Sequence, residues 1–407
     1  MKVRATAQAA PAVRWFYLAV GSASMFFAGI IYAWSILNVP LASEFGWDAS
    51  ELALNFTFTL CFFCIGGVIS SQLARRTSPK IVLCISAAAT LAGFSLCSFM
   101  EGNILVLYLA YGLLTGTGIG MSYNSVISSV SMWFPDKKGL CAGILMMSFG
   151  VSSLVLGKGA EFLFAQHTFG WRKTYLLMGI SLAVVLIAAA AFIRRPDTEL
   201  SGASSGSNLR KDDPCRSFTP QEMLRRLSFW KFFLVCILTA SVGSTVISFA
   251  RDLALSMGAQ AALASTMVGI LSICNGLGRI FCGFLFDALG RRKTMLISNL
   301  LTIIAPVIVL ASLWRGSLLC GIAGLCCTGI CYGCCPTISS AFISEFYGME
   351  FFPTNYSIAN LMLIPCSFAA PLASSLLTFT GSYVAPFLAL LAFAAAAFIL
   401  NLTIRKP

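Results

Sequence analysis

The chain has 407 residues, 58% of them hydrophobic and only 10% charged, against roughly 25% charged in a soluble globular domain. Mean hydropathy is +0.87, which excludes a soluble domain and leaves an integral membrane protein with room for about twelve spans of about 20 residues. The net charge of +12 sits in the loops between apolar runs, so it reads as topology and not as a nucleic-acid face.

The polar, weakly basic segment 1–13 lacks the cleavage-site architecture of a signal peptide. Six apolar runs follow, at 14–37, 51–74, 81–100, 104–133, 140–164 and 170–193. Segment 38–50, with Glu44 and Asp48, reads as an outer loop. The stretch 194–228 is polar and rich in Ser, Gly and Pro, the composition of a linker. Within it, 219–226 reads as a short surface helix capped by Thr219, with Pro220 at its first position. Six more runs follow, at 229–250, 262–286, 294–313, 317–344, 355–379 and 383–404. The expected organisation is an all-α membrane protein of 12 transmembrane helices: a six-helix bundle over 14–193, a cytoplasmic linker over 194–228, and a second six-helix bundle over 229–404.

Lysine and arginine collect on the cytoplasmic side of a membrane. Placing the termini and the linker there leaves all but six of the 27 basic residues on that side; the exceptions are Lys158, Arg172, Lys173, Arg251, Arg279 and Arg315. The expectation is a multi-pass protein of the cell membrane with both termini cytoplasmic. The halves echo each other, with Ile127-Ser128-Ser129 answered by Ile338-Ser339-Ser340. Parallel six-helix repeats with a midplane site between them are a transporter plan.

Most of the 16 cysteines lie in apolar runs. Cys61/Cys64 and Cys331/Cys334 have C-x-x-C spacing, which on a membrane helix only puts two small residues on one face. The one histidine, His167, is remote from them in sequence. No metal site is expected. No nucleotide loop and no Ser/His/Asp set is found, so the chain reads as neither an ATP-driven pump nor an enzyme, and no cofactor is expected.

The sharpest feature is Arg279, deep in the eighth run. An arginine at the centre of a membrane helix costs about 2.5–3.5 kcal/mol on insertion scales. At 1.5 Å per residue it lies about 10–12 Å from the Asp287 end, too deep to snorkel easily. Either it serves a substrate or it is a structural arginine bonded to backbone carbonyls. Asn275, one turn earlier, shares its face. No acidic residue lies deep in any span, which disfavours a protein-borne proton carrier.

Gly283, Asp287, Gly290, Arg291 and Arg292 form a G-x-x-x-D-x-x-G-R-R pattern that resembles the inner-loop motif of the major facilitator superfamily. By that resemblance Asp287, Arg291 and Arg292 form a conformational latch. The corresponding turn after the second run, 71–80, has no acidic residue, so a latch here is asymmetric, and the reading of both turns as topogenic charge alone stays open. Gly29-Ile30-Ile31-Tyr32-Ala33-Trp34-Ser35, Trp133-Phe134-Pro135-Asp136-Lys137-Lys138-Gly139, Asn275-Gly276-Leu277-Gly278-Arg279, Glu345-Phe346-Tyr347-Gly348 and Asn355-Tyr356 occur in that order. They resemble the oxalate/formate antiporter family of that superfamily, a branch close to monocarboxylate transporters.

The resemblance implies a secondary carrier working by alternating access as a monomer in the lipid bilayer. It places the carboxylate-binding arginine on Arg279 and cavity tyrosines on Tyr32, Tyr123 and Tyr332. Another tyrosine position is Phe149 here, a lysine position is Leu363, and tryptophan positions are Asn360 and Thr328. One cation of the dicarboxylate clamp is therefore missing, which moves the expected substrate toward a small monocarboxylate such as formate, acetate, lactate or pyruvate. Lys158 as a replacement cation is disfavoured by its place near the outer end of its run. Proton-coupled symport is the alternative mode, and a non-transporting solute receptor the alternative of another class. For the tyrosines, plain packing stays open.

Overall fold

The computed structural model describes residues 10–166, 169–194 and 217–405. Most of the expected linker, 195–216, lies outside them. Among the described residues the chain is helical almost throughout, because each apolar run satisfies its own backbone hydrogen bonds, as a bilayer demands.

Six spans come first: α1 (Val13–Phe45), α2 (Glu51–Arg76), α3 (Pro79–Phe99), α4 (Ile104–Ser131), α5 (Lys138–Phe164) and α6 (Gly170–Phe192). After the linker comes α7 (Leu227–Ser256). The stretch Ala261–Arg315 is two helices meeting at Gly290, whose φ of 75° is closed to an α-helix. They are α8 (261–289) and α9 (291–315). Then follow α10 (Leu318–Tyr347), α11 (Phe352–Thr380) and α12 (Val384–Leu402).

Three elements differ from the sequence expectation. Asn38 and Pro40 read as loop, yet α1 runs through them to Phe45. Leu37 and Leu41 are fully buried, and this burial carries the helix past the proline. It stops at Gly46, which takes a φ of 68° and donates its N–H to the Ala42 carbonyl. Within α4, Tyr108–Thr115 is π-helical. In α11, the helix Phe352–Asn360 is followed by the separate pieces Leu363–Ser367 and Ala369–Thr380.

The described residues form two compact units. Unit 1 takes those within Met1–Cys141, Ser148–Ser217 and Gly348–Ile358; unit 2 takes those within Ala142–Met147, Phe218–Tyr347 and Ala359–Pro407. A short piece of α5 thus belongs with unit 2, and the start of α11 belongs with unit 1.

Unit 1 is tied at both ends of its helices. At one end Arg14 pairs with Asp136 at 2.9 Å, the Trp15 ring packs on Phe134 at 5.3 Å, and Trp133 Nε1 donates to the Arg194 carbonyl at 2.8 Å. The Trp-Phe-Pro-Asp turn therefore clasps the start of α1 and the end of α6. At the other end Glu44 accepts from Trp171 and, at 2.9 Å, from Arg172. Arg172 also donates to the carbonyl of Met100 at 2.8 Å. In unit 2 the end of the linker is docked on α10. Phe218 N–H donates to the Tyr347 carbonyl at 3.0 Å, and Ser228 shares a hydrogen bond with Tyr347 Oη at 2.9 Å. The expected short helix is present as Pro220–Leu224, with a capping box between Thr219 and Glu222.

Candidate functional site

Helix α8 packs against α10 through glycine contacts beside Arg279. A side chain at Gly278 would run into the Ile330 carbonyl of α10, and one at Gly333 of α10 into the Asn275 carbonyl of α8. Close backbone approach of this kind is how membrane helices pack without bulky side chains.

Arg279 is 4% exposed. Its Nη1 donates to the backbone carbonyl of Met146 in the α5 piece of unit 2. Its Nε faces Asn275 Oδ1 at 3.4 Å, a long contact that still orients the fork. Its own carbonyl accepts from Thr337 Oγ1 of α10 at 3.3 Å. Among the described residues no carboxylate stands within ion-pair distance of Arg279. The guanidinium is thus buried and charged, held by neutral acceptors only.

The other expected residues of unit 2 are placed as follows. Tyr332 is half-buried and its ring covers Gly243 of α7. Asn360 is buried at the end of the first α11 piece, and Leu363 is half-buried at the start of the second. Thr328 is fully buried, with its hydroxyl bonded to the Gly324 carbonyl of its own helix at 2.8 Å. Lys158 in α5, a residue of unit 1, is exposed.

Unit 1 gathers the remaining aromatic candidates around one ring. Phe149 is buried, with Tyr32 edge-on at 5.3 Å and Tyr123 edge-on at 5.1 Å. Tyr32 reaches it because Gly29, one turn earlier, lets α1 close onto the Phe149 carbonyl. Two residues that sequence reasoning missed complete the cluster. Phe63 packs on Tyr123 at 5.1 Å, and Tyr356 Oη shares a 3.1 Å hydrogen bond with Tyr123 Oη.

At the α8–α9 turn, Arg291 lies over the Phe346 ring at 4.5 Å and is close enough to Glu345 to feel its charge. Asp287 and Arg292 are exposed. Among the described residues no group of three or more His, Cys, Asp or Glu is arranged to hold a metal ion.

A family model described as the Major Facilitator Superfamily matches residues 18–251 and 232–407. The chain belongs to the Major Facilitator Superfamily. It is a multi-pass membrane transporter with that superfamily's all-α fold. The fold agrees with solved structures. The E. coli fucose:proton symporter FucP superposes with a TM-score of 0.69 over 96% of this chain and 98% of its own, at 14% identity. The proton:xylose symporter XylE superposes with a TM-score of 0.72 over 97% of each chain, at 12% identity.

Among curated relatives, the chain is 26% identical to the MFS-type transporter YhjX of Escherichia coli, over 86% of this chain and 84% of that protein. It is 28% identical to the oxalate:formate antiporter of Oxalobacter formigenes, over 69% of this chain and 65% of that protein, just under two thirds of the antiporter's length. It is 24% identical to monocarboxylate transporter 12 of Mus musculus, over 87% of this chain and 77% of that one. Family and fold are thus those of transporters.

Proposed function

We propose that this superfamily member exchanges small carboxylate anions by alternating access, with a monocarboxylate such as formate, acetate, lactate or pyruvate as its substrate. The observation that carries the reading is Arg279: buried, charged and without a carboxylate partner among the described residues. A buried guanidinium is stable only where an anion or good acceptors meet it, and its planar fork matches one carboxylate bidentately. Asn275 orients that fork. Tyr32, Tyr123, Phe149 and Tyr332 shape and close the cavity. Leu363 and Asn360 contribute no second cation, and the hydroxyl of Thr328 is spent on its own helix. This is the chemistry of one charged end and one uncharged end.

In this reading the carrier works in the cell membrane with both termini cytoplasmic, as two six-helix halves over 14–193 and 229–404 that rock about a midplane site. Asp287, Arg291 and Arg292 steady the α8–α9 turn through the cycle. The test is exchange in proteoliposomes against a panel of labelled mono- and dicarboxylates, with and without a pH gradient. Monocarboxylate uptake that requires a counter-substrate supports the proposal. Uptake driven by outside acid without counter-substrate selects proton symport instead. Robust oxalate exchange contradicts the single-anchor argument.

A further inference from the structure

Within unit 2, α7 and α10 run antiparallel in close contact. Phe232 stacks on Phe342 at 3.7 Å, and a Cβ at Gly243 would run into the Tyr332 ring. Between these two contacts α7 brings Cys236 and α10 brings Cys335, 3% and 5% exposed. Cys335 Sγ donates to the Cys236 carbonyl at 3.8 Å, and the two thiols lie side by side. Small size accounts for most cysteines on membrane helices that pack closely. This pair is set apart by what adjoins it.

Cys236 and Cys335 border a cavity with room for a molecule of about water's size. Thr239 of α7, Ser298 and Asn299 of α9 and Cys331 of α10 share its wall. Asn299 is 4% exposed, and its Nδ2 has no hydrogen-bond partner among the described residues. A buried amide donor is costly until an acceptor reaches it, so the cavity suits a small molecule that carries oxygen. Thr239 Oγ1 stands 3.7 Å from Cys335 Sγ but also bonds the Val235 carbonyl at 2.8 Å. Asn299 is therefore the donor with no other commitment. A second thiol pair gives the contrast. Cys282 of α8 donates to the Cys334 carbonyl at 3.8 Å, and Cys334 to the Gly278 carbonyl at 3.7 Å. These two are buried as deeply, yet neither borders the cavity.

We propose that Cys236 and Cys335 are a peroxide-reactive thiol pair, oxidised to a disulfide that joins α7 to α10 within unit 2. A thiol buried among apolar groups is inert; here a polar cavity admits hydrogen peroxide, an uncharged molecule little larger than water, and Asn299 offers it a hydrogen bond. The Cys335 sulfur attacks one peroxide oxygen and the O–O bond breaks. The departing oxygen takes the thiol proton and leaves as water, and Cys335 becomes a sulfenic acid. The Cys236 sulfur then attacks the Cys335 sulfur. The S–O bond breaks, the hydroxyl takes the second thiol proton, and a second water leaves. Two thiols are oxidised and one peroxide is reduced to two waters. The step is independent of Arg279 and of any substrate.

The experiment treats the full chain in liposomes with graded hydrogen peroxide, blocks remaining thiols with N-ethylmaleimide, and digests without reduction. Mass spectrometry then reads which cysteines are linked. The Cys236–Cys335 link is expected to form first, about tenfold or more ahead of any Cys282–Cys334 link, and dithiothreitol is expected to reverse it; tenfold is the size of one hydrogen bond in the transition state. Asn299→Leu is expected to slow the link about three- to tenfold on the same scale. In Cys236→Ser the resolving sulfur is gone, so Cys335 is expected to stop at the sulfenic acid and take up dimedone. A packing role alone gives no dimedone adduct. Both pairs still reduced after treatment, or linked at one rate, overturns the proposal, as does a Cys236→Ser protein whose Cys335 takes up no dimedone.

Discussion

Thr337 in α10 donates its hydroxyl to the backbone carbonyl of Arg279 in α8 at 3.3 Å, and Asn124 in α4 makes the same bond to Gly67 in α2 at 3.1 Å. The glycine contacts repeat in step. Gly333 of α10 lies on the Asn275 carbonyl one turn before Arg279, and Gly120 of α4 lies on the Phe63 carbonyl one turn before Gly67. Arg279 thus occupies in α8 the place that glycine occupies in α2. The same packing pattern thus carries bare backbone in one unit and a guanidinium in the other.

The side-chain neighbour of that charge is an amide. Asn275 Oδ1 faces Arg279 Nε at 3.4 Å. Asn275→Asp puts a carboxylate there, which pairs with the guanidinium and must be protonated or displaced before substrate binds. The apparent KM of the variant is expected to rise about tenfold or more at neutral pH, the size of a charge-assisted bond. It should fall again as the pH is lowered and the introduced carboxylate takes a proton. Uptake kinetics over a pH series check this. A flat series denies that the residue faces the binding fork.

Leu363 stands where the oxalate/formate family resemblance places a lysine. Leu363→Lys supplies a second cation at a half-buried position. Labelled oxalate exchange, absent or weak in the wild type, is expected to appear in the variant, while monocarboxylate exchange falls. Unchanged selectivity shows that this side chain is remote from the anion.

Much of the fold was legible because hydropathy and charge act locally. The apolar runs gave the spans, and Gly290 with its arginines marked the turn that separates α8 from α9. Arg279 stood out because its cost in an apolar helix needs no neighbour to be noticed. What stayed hidden depends on distant partners. The Met146 carbonyl that holds Arg279 is backbone, so no side chain announces it. Phe63 is one of 33 phenylalanines, and only the fold brings it to Tyr123. Tyr356 sits in the Asn355-Tyr356 motif, but its bond to Tyr123 joins residues 233 positions apart. The continuation of α1 past Pro40 was masked because Asn38 and Pro40 are turn formers, and the burial of Leu41 outweighs them.

Helix packing gives a stability prediction free of any substrate argument. A side chain at Gly120 would enter the Phe63 carbonyl, and backbone cannot step aside as a flexible side chain can. Gly120→Val is expected to destabilise unit 1 by about 1–3 kcal/mol or more, the range of overpacked cores. A lowered melting temperature in detergent, or loss of the monodisperse protein, checks it. Glu44→Gln at the far end of α1 removes a half-exposed pair with Arg172 and should cost no more than about 1 kcal/mol.

In the proposed cycle Arg279 anchors one carboxylate. The most direct measurement is exchange of labelled pyruvate by Arg279→Gln beside the wild type, in liposomes holding equal amounts of folded protein. Loss of exchange by about two orders of magnitude or more is predicted, because the amide keeps a donor but loses the charge and the fork. Exchange at the wild-type rate would contradict the assignment and return Arg279 to a purely structural role.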